Sequence, residues 1–271
     1  MTHARWMAPL AVAVLVAIGC GGGRPQDASA TTDHGTPPEA PMQLAEAPAA
    51  SAPAPAASAG SASVIGSVRF EGATPAPEKV KMAADPVCAQ QHTEAVYTED
   101  VVVNSNGTLK NVVVFVKEGL SGSFPAPSTP VVLDQKGCWY IPHILAIQAG
   151  QPLEIVNSDA TLHNVNAKPT ASPPFNLAQP MAGSKSTKRF AKAEIGVPFK
   201  CNVHPWMHAV AVVTDHPFFS VSGADGSFSI KALPAGTYVL EAWHEKYGAQ
   251  TQTVTVADGE SKSVEFVFKG Q

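Results

Sequence analysis

The sequence predicts an all-β protein, and three observations carry that expectation. From Val64 to Phe268, short runs rich in β-branched and aromatic residues recur: VIGSVRF, NVVVFV, HILAIQ, QPLEIVN, AVAVVT, FSIKAL, TYVLEAW, TQTVTV and SVEFVF. Each is of strand length. Turn signals lie between them, including Ala149-Gly150, Asp225-Gly226, Pro234-Ala235-Gly236 and Asp258-Gly259. No apolar spacing of helical period runs for a useful length. Such a pattern builds sandwich or barrel domains.

The chain begins with a different kind of segment. A single basic residue, Arg5, precedes an apolar run from Trp6 to Gly19. That run is shorter than the ~20 residues a membrane-crossing helix needs, so it reads as the core of an export signal over residues 1–19. It ends in Ala17-Ile18-Gly19-Cys20, which resembles the lipobox of bacterial lipoproteins, with Ala17 where relatives usually carry leucine. The resemblance implies that Cys20 is lipidated and becomes the mature N-terminus, anchoring an exported protein to the periplasmic or cell-surface face of a bacterial membrane. The alternative is an ordinary signal peptide followed by a chance cysteine.

Residues 20–63 form the next element. Ala and Pro supply 13 of the 20 residues from Pro41 to Gly60, leaving almost nothing large and apolar to bury. A segment of this kind cannot offset its ordering entropy, so a disordered tether is expected. Losing Arg5 with the export signal takes the net charge from −4 to −5. There is no basic stripe, and no nucleic-acid partner is expected.

Four cysteines are present. With Cys20 assigned to lipid, Cys88, Cys138 and Cys201 remain, an odd number for an oxidising compartment, and one thiol must have another role. Cys201, which has His and Met neighbours, takes that role. Cys88 and Cys138 are left for a disulfide, which on the chain-entropy view would stabilise the fold by about 4 kcal/mol. Two separate buried thiols are the alternative.

Within FKCNVHPWMH the spacing is Cys201-x-x-His204-x-x-Met207. Ile195, Val197, Phe199 and Cys201 alternate with Gly196, Pro198 and Lys200, so Cys201 should face inward at a strand end. His208, next to Met207, should face the other way, toward solvent. A thiolate, two imidazoles and a weak axial thioether make up a blue-copper ligand set. The stretch QPLEIVNSDATLHNVNA offers the second imidazole, His163, after a strand and a turn. Zinc is the next option, but a thioether is a poor zinc ligand. His143, His216 and His244 each sit beside Pro, Trp or Tyr and are expected to be structural, a second metal site among them being the alternative.

CNVHPWM resembles the ligand loop of the cupredoxins, in the amicyanin-like spacing, and NSDATLHNV is similar to their first-histidine segment. The resemblance covers residues 137–215. It implies a Greek-key sandwich holding one type 1 copper ion through His163, Cys201, His204 and Met207, with Asn164 bracing the sulfur. Such proteins carry single electrons between redox protein partners.

The stretch from Phe218 to Phe268 resembles the carboxypeptidase regulatory-like domain, a small transthyretin-like sandwich, through GADGSFSI, LPAGTYVLEA and the closing TVTV and VEFVF. Its first strands resemble GSVRFEGATP and LKNVVVFVKEG, far upstream. An interrupted domain is therefore expected, residues 64–120 plus 216–271, with the cupredoxin inserted as residues 121–215. Two or three consecutive domains are the alternative. No Ser-His-Asp set, paired carboxylates or phosphate-cradling glycine loop is present, so no enzyme is expected. Two rival functions remain: copper storage or delivery with the same ligands, and carbohydrate or cell-wall binding by a platform of Trp243 and Tyr247.

Overall fold

A computed structural model describes residues 59–270. The export segment, the lipidation at Cys20 and all of the tether up to residue 58 lie outside the described residues. No helix among the described residues is long and apolar enough to cross a membrane.

Apart from one short helix, α1 (Pro86–Gln90), the regular structure is all strand. Both ends of the described chain build one sandwich, called outer here. One of its sheets places β1 (Ala62–Glu71) between β13 (Ser227–Leu233) and β16 (Ser261–Lys269). The other runs β12 (Phe219–Val221), β2 (Val113–Glu118), β14 (Gly236–His244), β15 (Gly248–Val256).

The chain between β2 and β12 builds a second, inner sandwich. Its strands are β3 (Val131–Gln135), β4 (Tyr140–Ile141), β5 (Ile144–Gln148), β6 (Leu153–Asn157), β7 (His163–Ala167), β8 (Phe175–Gln179), β9 (Lys185–Lys188), β10 (Glu194–Lys200) and β11 (His208–Thr214). They form one sheet in the order β5-β11-β10-β7-β8 and another in the order β4-β3-β6-β9. Hairpin neighbours β3–β4, β7–β8 and β10–β11 alternate with pairs distant in sequence; β11 pairs in parallel with β5, and β3 with β6.

Four sheets enclose three apolar layers. Phe228, Ile230, Leu240, Phe266 and Phe268 lie in the outer core; Leu133, Ile155, Val165, Phe190 and Phe199 lie in the inner one. The third layer joins the sandwiches: Val113 and Phe115 of β2 meet Ile144 and Ala146 of β5 and Val212 of β11, with Trp243 against them. This explains why VVVFV, ILAI and AVAVV are apolar at almost every position. A strand buried on both faces reads as a continuous apolar run and not as an alternation. Trp243 thus packs into the joint, and Tyr247 lies 5.3 Å from the Phe70 ring, so the two do not form a free aromatic platform.

Two local features shape the inner sandwich. The alternation expected from Ile195 to Cys201 holds from Val197 onward, but Ile195 is exposed. The register shifts between Ile195 and Val197, where Gly196 adopts φ +83°, and this bulge turns Ile195 outward. The segment ahead of β2 also does more than lead into the outer sandwich. Its Val80, Met82 and Cys88 are buried in the inner core, and Cys88 forms the expected disulfide with Cys138.

Candidate metal centre

Two stretches of backbone bring the site together. Strand β10 ends at Lys200 and delivers Cys201, and the chain then loops to β11. That loop closes on itself, because Cys201 N–H donates to the Met207 carbonyl at 3.1 Å and Met207 N–H to the His204 carbonyl at 2.9 Å. Beside it β7 opens at His163. Cys201, His204 and Met207 are all buried, and His163 is fully enclosed.

One donor atom from each of His163, Cys201 and His204 lies within 4.8 Å of the others. The two imidazoles meet edge to face, with Nδ1 facing Nδ1 at 3.0 Å. Cys201 Sγ lies 3.8 Å from His204 Nδ1 and accepts the His204 backbone N–H at 3.3 Å.

The far nitrogen of each imidazole is tied to a carboxylate. His163 Nε2 reaches Asp159 Oδ2 at 2.8 Å, and Asp159 is itself held by the N–H groups of Gly137 at 2.8 Å and Cys138 at 2.7 Å. His204 Nε2 reaches Asp85 Oδ2 at 2.9 Å. The other Asp85 oxygen caps α1, accepting from Val87 N–H at 2.8 Å and Cys88 N–H at 3.2 Å. An ionised carboxylate only accepts, so each Nε2 carries its proton and each Nδ1 presents a lone pair. Two lone pairs 3.0 Å apart beside a thiol are favourable only with a proton or a cation between them.

The electrostatics agree with the geometry. Burial pushes the Cys201 thiol up, but hydrogen bonds with His163 and with the backbone N–H groups of His204, Val203 and Asn164 outweigh it and hold the thiol at about 7. Burial alone would lower the basicity of His163; contact with Asp159 and Cys201 raises it instead. Asp159, which burial would raise, is held below the usual carboxylate range by His163, Cys138 and Gly137. The site therefore eases ionisation of the thiol and places the Nδ1 atoms of two imidazoles beside it. That donor set, soft sulfur with two imidazoles, fits a copper ion.

Asn164 braces the loop in two ways. Its backbone N–H helps to hold the Cys201 thiol down, and its Oδ1 accepts the Asn202 N–H at 3.2 Å. Met207 is fully buried in the same core as Cys201. His208 does face away from the cluster, but not into solvent as expected. It is half-buried and pairs with Asp100 at 2.9 Å, since the segment ahead of β2 covers this side of β11.

Sequence reasoning missed Asp85, Asp159 and Tyr140. Tyr140, whose hydroxyl is kept protonated first by burial and then by the Cys201 charge, donates to the Asn164 carbonyl. In sequence Asp159 reads only as a turn former, in the Asn157-Ser158-Asp159 stretch ahead of His163. Asp85 shows in sequence only as a helix N-cap directly before proline, a signal that does not point to His204.

Fold and site together define an all-β protein of two joined sandwiches with a buried thiol–imidazole cluster in one of them. Residues 208–269 match the carboxypeptidase regulatory-like domain family; β11 opens that stretch, but its strand partners are in the inner sandwich. No curated protein matches the chain. Among solved structures, it is similar to a Cu-containing nitrite reductase (NirK) from Thermus scotoductus SA-01, with 23% identity over 35% of this chain and a TM-score of 0.30. The similarity spans only 24% of that reductase. It is also similar to amicyanin from Paracoccus versutus, with 21% identity, 37% of this chain, 96% of that chain and a TM-score of 0.29.

Proposed function

We propose that the protein is a blue-copper electron carrier of the bacterial cell envelope, holding one type 1 copper ion through His163, Cys201, His204 and Met207. The observation that carries this reading is the facing pair of imidazole Nδ1 atoms beside a thiol poised to ionise, each imidazole fixed from behind by a carboxylate. Bound copper would supply a one-electron Cu(I)/Cu(II) couple, and Met207 would add a soft thioether donor to the two imidazoles and the thiolate. The chain's own part is to hold His163 and His204 in a single orientation, exclude water from Cys201 and limit rearrangement when charge changes. No catalytic step belongs to this reading.

Burial supports a carrier over a delivery protein that uses the same ligands. His204 is 2% exposed and lies beneath Asp85 and Cys88, so a recipient protein could not reach a ligand without first moving α1. Electrons need no such access. The proposal extends to protein redox partners and to a lipid anchor at Cys20.

The test is to titrate the purified protein with Cu(II) and record its visible absorption. An intense thiolate-to-copper band is expected, absent in Cys201→Ser, with copper retained through repeated reduction and oxidation. A colourless complex, or a Cys201→Ser protein that stays blue, overturns the site. Copper lost on the first reduction overturns the carrier role.

A further inference from the structure

Met207 and His208 are chain neighbours with separate surroundings. His208 faces a second cluster that shares no residue with the first: Asp100, His143, His208 and Glu245 each place a donor atom within 4.8 Å of the others. Three parts of the molecule supply them. Asp100 lies in the segment ahead of β2, His143 directly precedes β5, His208 opens β11, and Glu245 is in the turn from β14 to β15.

Hydrogen bonding fixes the state of these rings. His208 Nδ1 lies 3.1 Å from the Trp206 carbonyl, which can only accept, so Nδ1 carries a proton. In the neutral ring Nε2 is then a lone pair, yet it faces Asp100 Oδ1 at 2.9 Å. Two acceptors in contact require a positive partner, either a second ring proton or a metal ion bound by both. An Nδ1–H held by a backbone carbonyl is how metal-binding imidazoles are commonly oriented.

His143 adds a second constraint. Its Nε2 meets Glu245 Oε1, while its Nδ1, in a residue only 3% exposed, has no hydrogen-bond partner among the described residues. A neutral ring can donate from Nε2 to Glu245 with a lone pair left at Nδ1, so His143 needs no second proton, and it joins an ion through Nε2 only by moving its proton to Nδ1. Lys246, 3.6 Å from Asp100, supplies one positive charge against two carboxylates and leaves the cluster short of another.

We propose that Asp100, His143, His208 and Glu245 form a second metal site, for a divalent transition ion of the zinc class. Two imidazoles and two carboxylates are a nitrogen and oxygen donor set suited to tetrahedral zinc. With neither thiolate nor thioether, it has no preference for Cu(I). A surface cavity of about 360 Å³, lined in part by Asp100, His208, Glu245 and Lys246, gives an ion its way in. A bound ion would clip the Asp100 segment and the two sandwiches to one another.

Zinc alone is the probe, and the full chain carrying Cys201→Ser is the background, so the outcome does not depend on the copper reading. The protein is equilibrated with Zn(II), its bound metal is counted, and its affinity is measured by competition with a chromophoric chelator. One zinc ion and a raised thermal midpoint are expected. His208→Ala in this background should weaken zinc binding at least about tenfold, because even outer partners of metal ligands are worth about 10–100-fold. Glu245→Gln, nearly isosteric, should give the same loss with an unchanged midpoint in the absence of zinc, which separates lost binding from misfolding. If Cys201→Ser binds no zinc, or if both added substitutions leave its affinity unchanged, the proposal fails and the cluster is only a set of imidazole–carboxylate pairs.

Discussion

His163 in the inner sandwich and His216 in the outer one are both buried, and the chain has prepared them for opposite purposes. His216 donates from Nε2 to the Val116 carbonyl at 2.7 Å and accepts the Phe218 N–H at Nδ1 at 3.1 Å. Both nitrogens of a neutral ring are thereby satisfied, the ring stacks on Phe218, and burial lowers its basicity. His163 has a carboxylate behind it and an unsatisfied lone pair in front, facing His204 and Cys201, and its basicity is raised. The difference lies in hydrogen-bond completeness, not in depth. A buried histidine that is fully paired as a neutral ring is part of the packing; one that is left short of a positive charge is part of a site.

That contrast can be broken most directly at His163 itself. His163→Ala would leave the Asp159 carboxylate buried without its cationic or proton-donating partner. Removing one member of a buried pair costs about 3–5 kcal/mol, and the two N–H donors remaining on Asp159 place this case near about 3. Chemical denaturation of the metal-free protein should record that loss. Copper added to the folded variant should give a weakened visible band.

A smaller effect is expected at Asp159. Asp159→Asn keeps the shape and can still accept from Gly137 or Cys138, but it removes the charge that orients His163. Copper affinity should fall by about 10–100-fold, the usual consequence of losing an outer partner of a ligand. Competition with a Cu(I) chelator would measure it, and unchanged affinity would mean that His163 needs no carboxylate behind it.

His216 makes the complementary prediction. Its basicity is lowered in the fold, so as pH falls below about 6.5 the unfolded chain takes up a proton that the folded chain resists. Stability contributed by the neutral ring is whole above that pH and declines as pH drops toward the folded value. His216→Gln should flatten this part of the stability–pH curve and leave the copper spectrum untouched. A curve unchanged by the substitution would show that acid sensitivity arises elsewhere.

How much of this could be read from sequence follows the same division. Runs buried on one or both faces were legible: VIGSVRF, NVVVFV, HILAIQ and AVAVVT all became strands. Strands β8 and β9 were not, because they lie at sheet ends and carry polar sequence, FNLAQ and KSTK, with little apolar periodicity. In the site, His163, Cys201 and His204 were legible because they occur in two short motifs with ligand spacing. Asp85 was not, because it meets His204 across 119 residues through a one-turn helix that leaves no periodic trace. The second cluster was hidden for the same reason: His208 meets Asp100 across 108 residues, and His143 meets Glu245 across 102. Spacing reveals partners on one loop, whereas partners delivered by separate segments become visible only once the chain is folded.

Asp85 offers the finest test of the carboxylate behind each histidine, because its two oxygens do separate things. Oδ1 caps α1 and Oδ2 holds His204 Nε2. Asparagine is as good an N-cap as aspartate, so Asp85→Asn should leave α1 and the global stability nearly unchanged. What it removes is the negative charge and the acceptor at Oδ2, placing an amide N–H against the His204 N–H. A negative charge beside a ligand favours Cu(II), so its removal should raise the reduction potential. The rise should be of the order of tens of millivolts, since about 59 mV already corresponds to a tenfold change for one electron. Asp85→Ala should produce the same rise and, in addition, lose about 1 kcal/mol of stability through the missing cap. Voltammetry and thermal unfolding of the two variants separate these contributions. A potential that moves only in Asp85→Ala would mean that α1 tunes the site by covering it; equal shifts in both would assign the effect to the charge on Asp85.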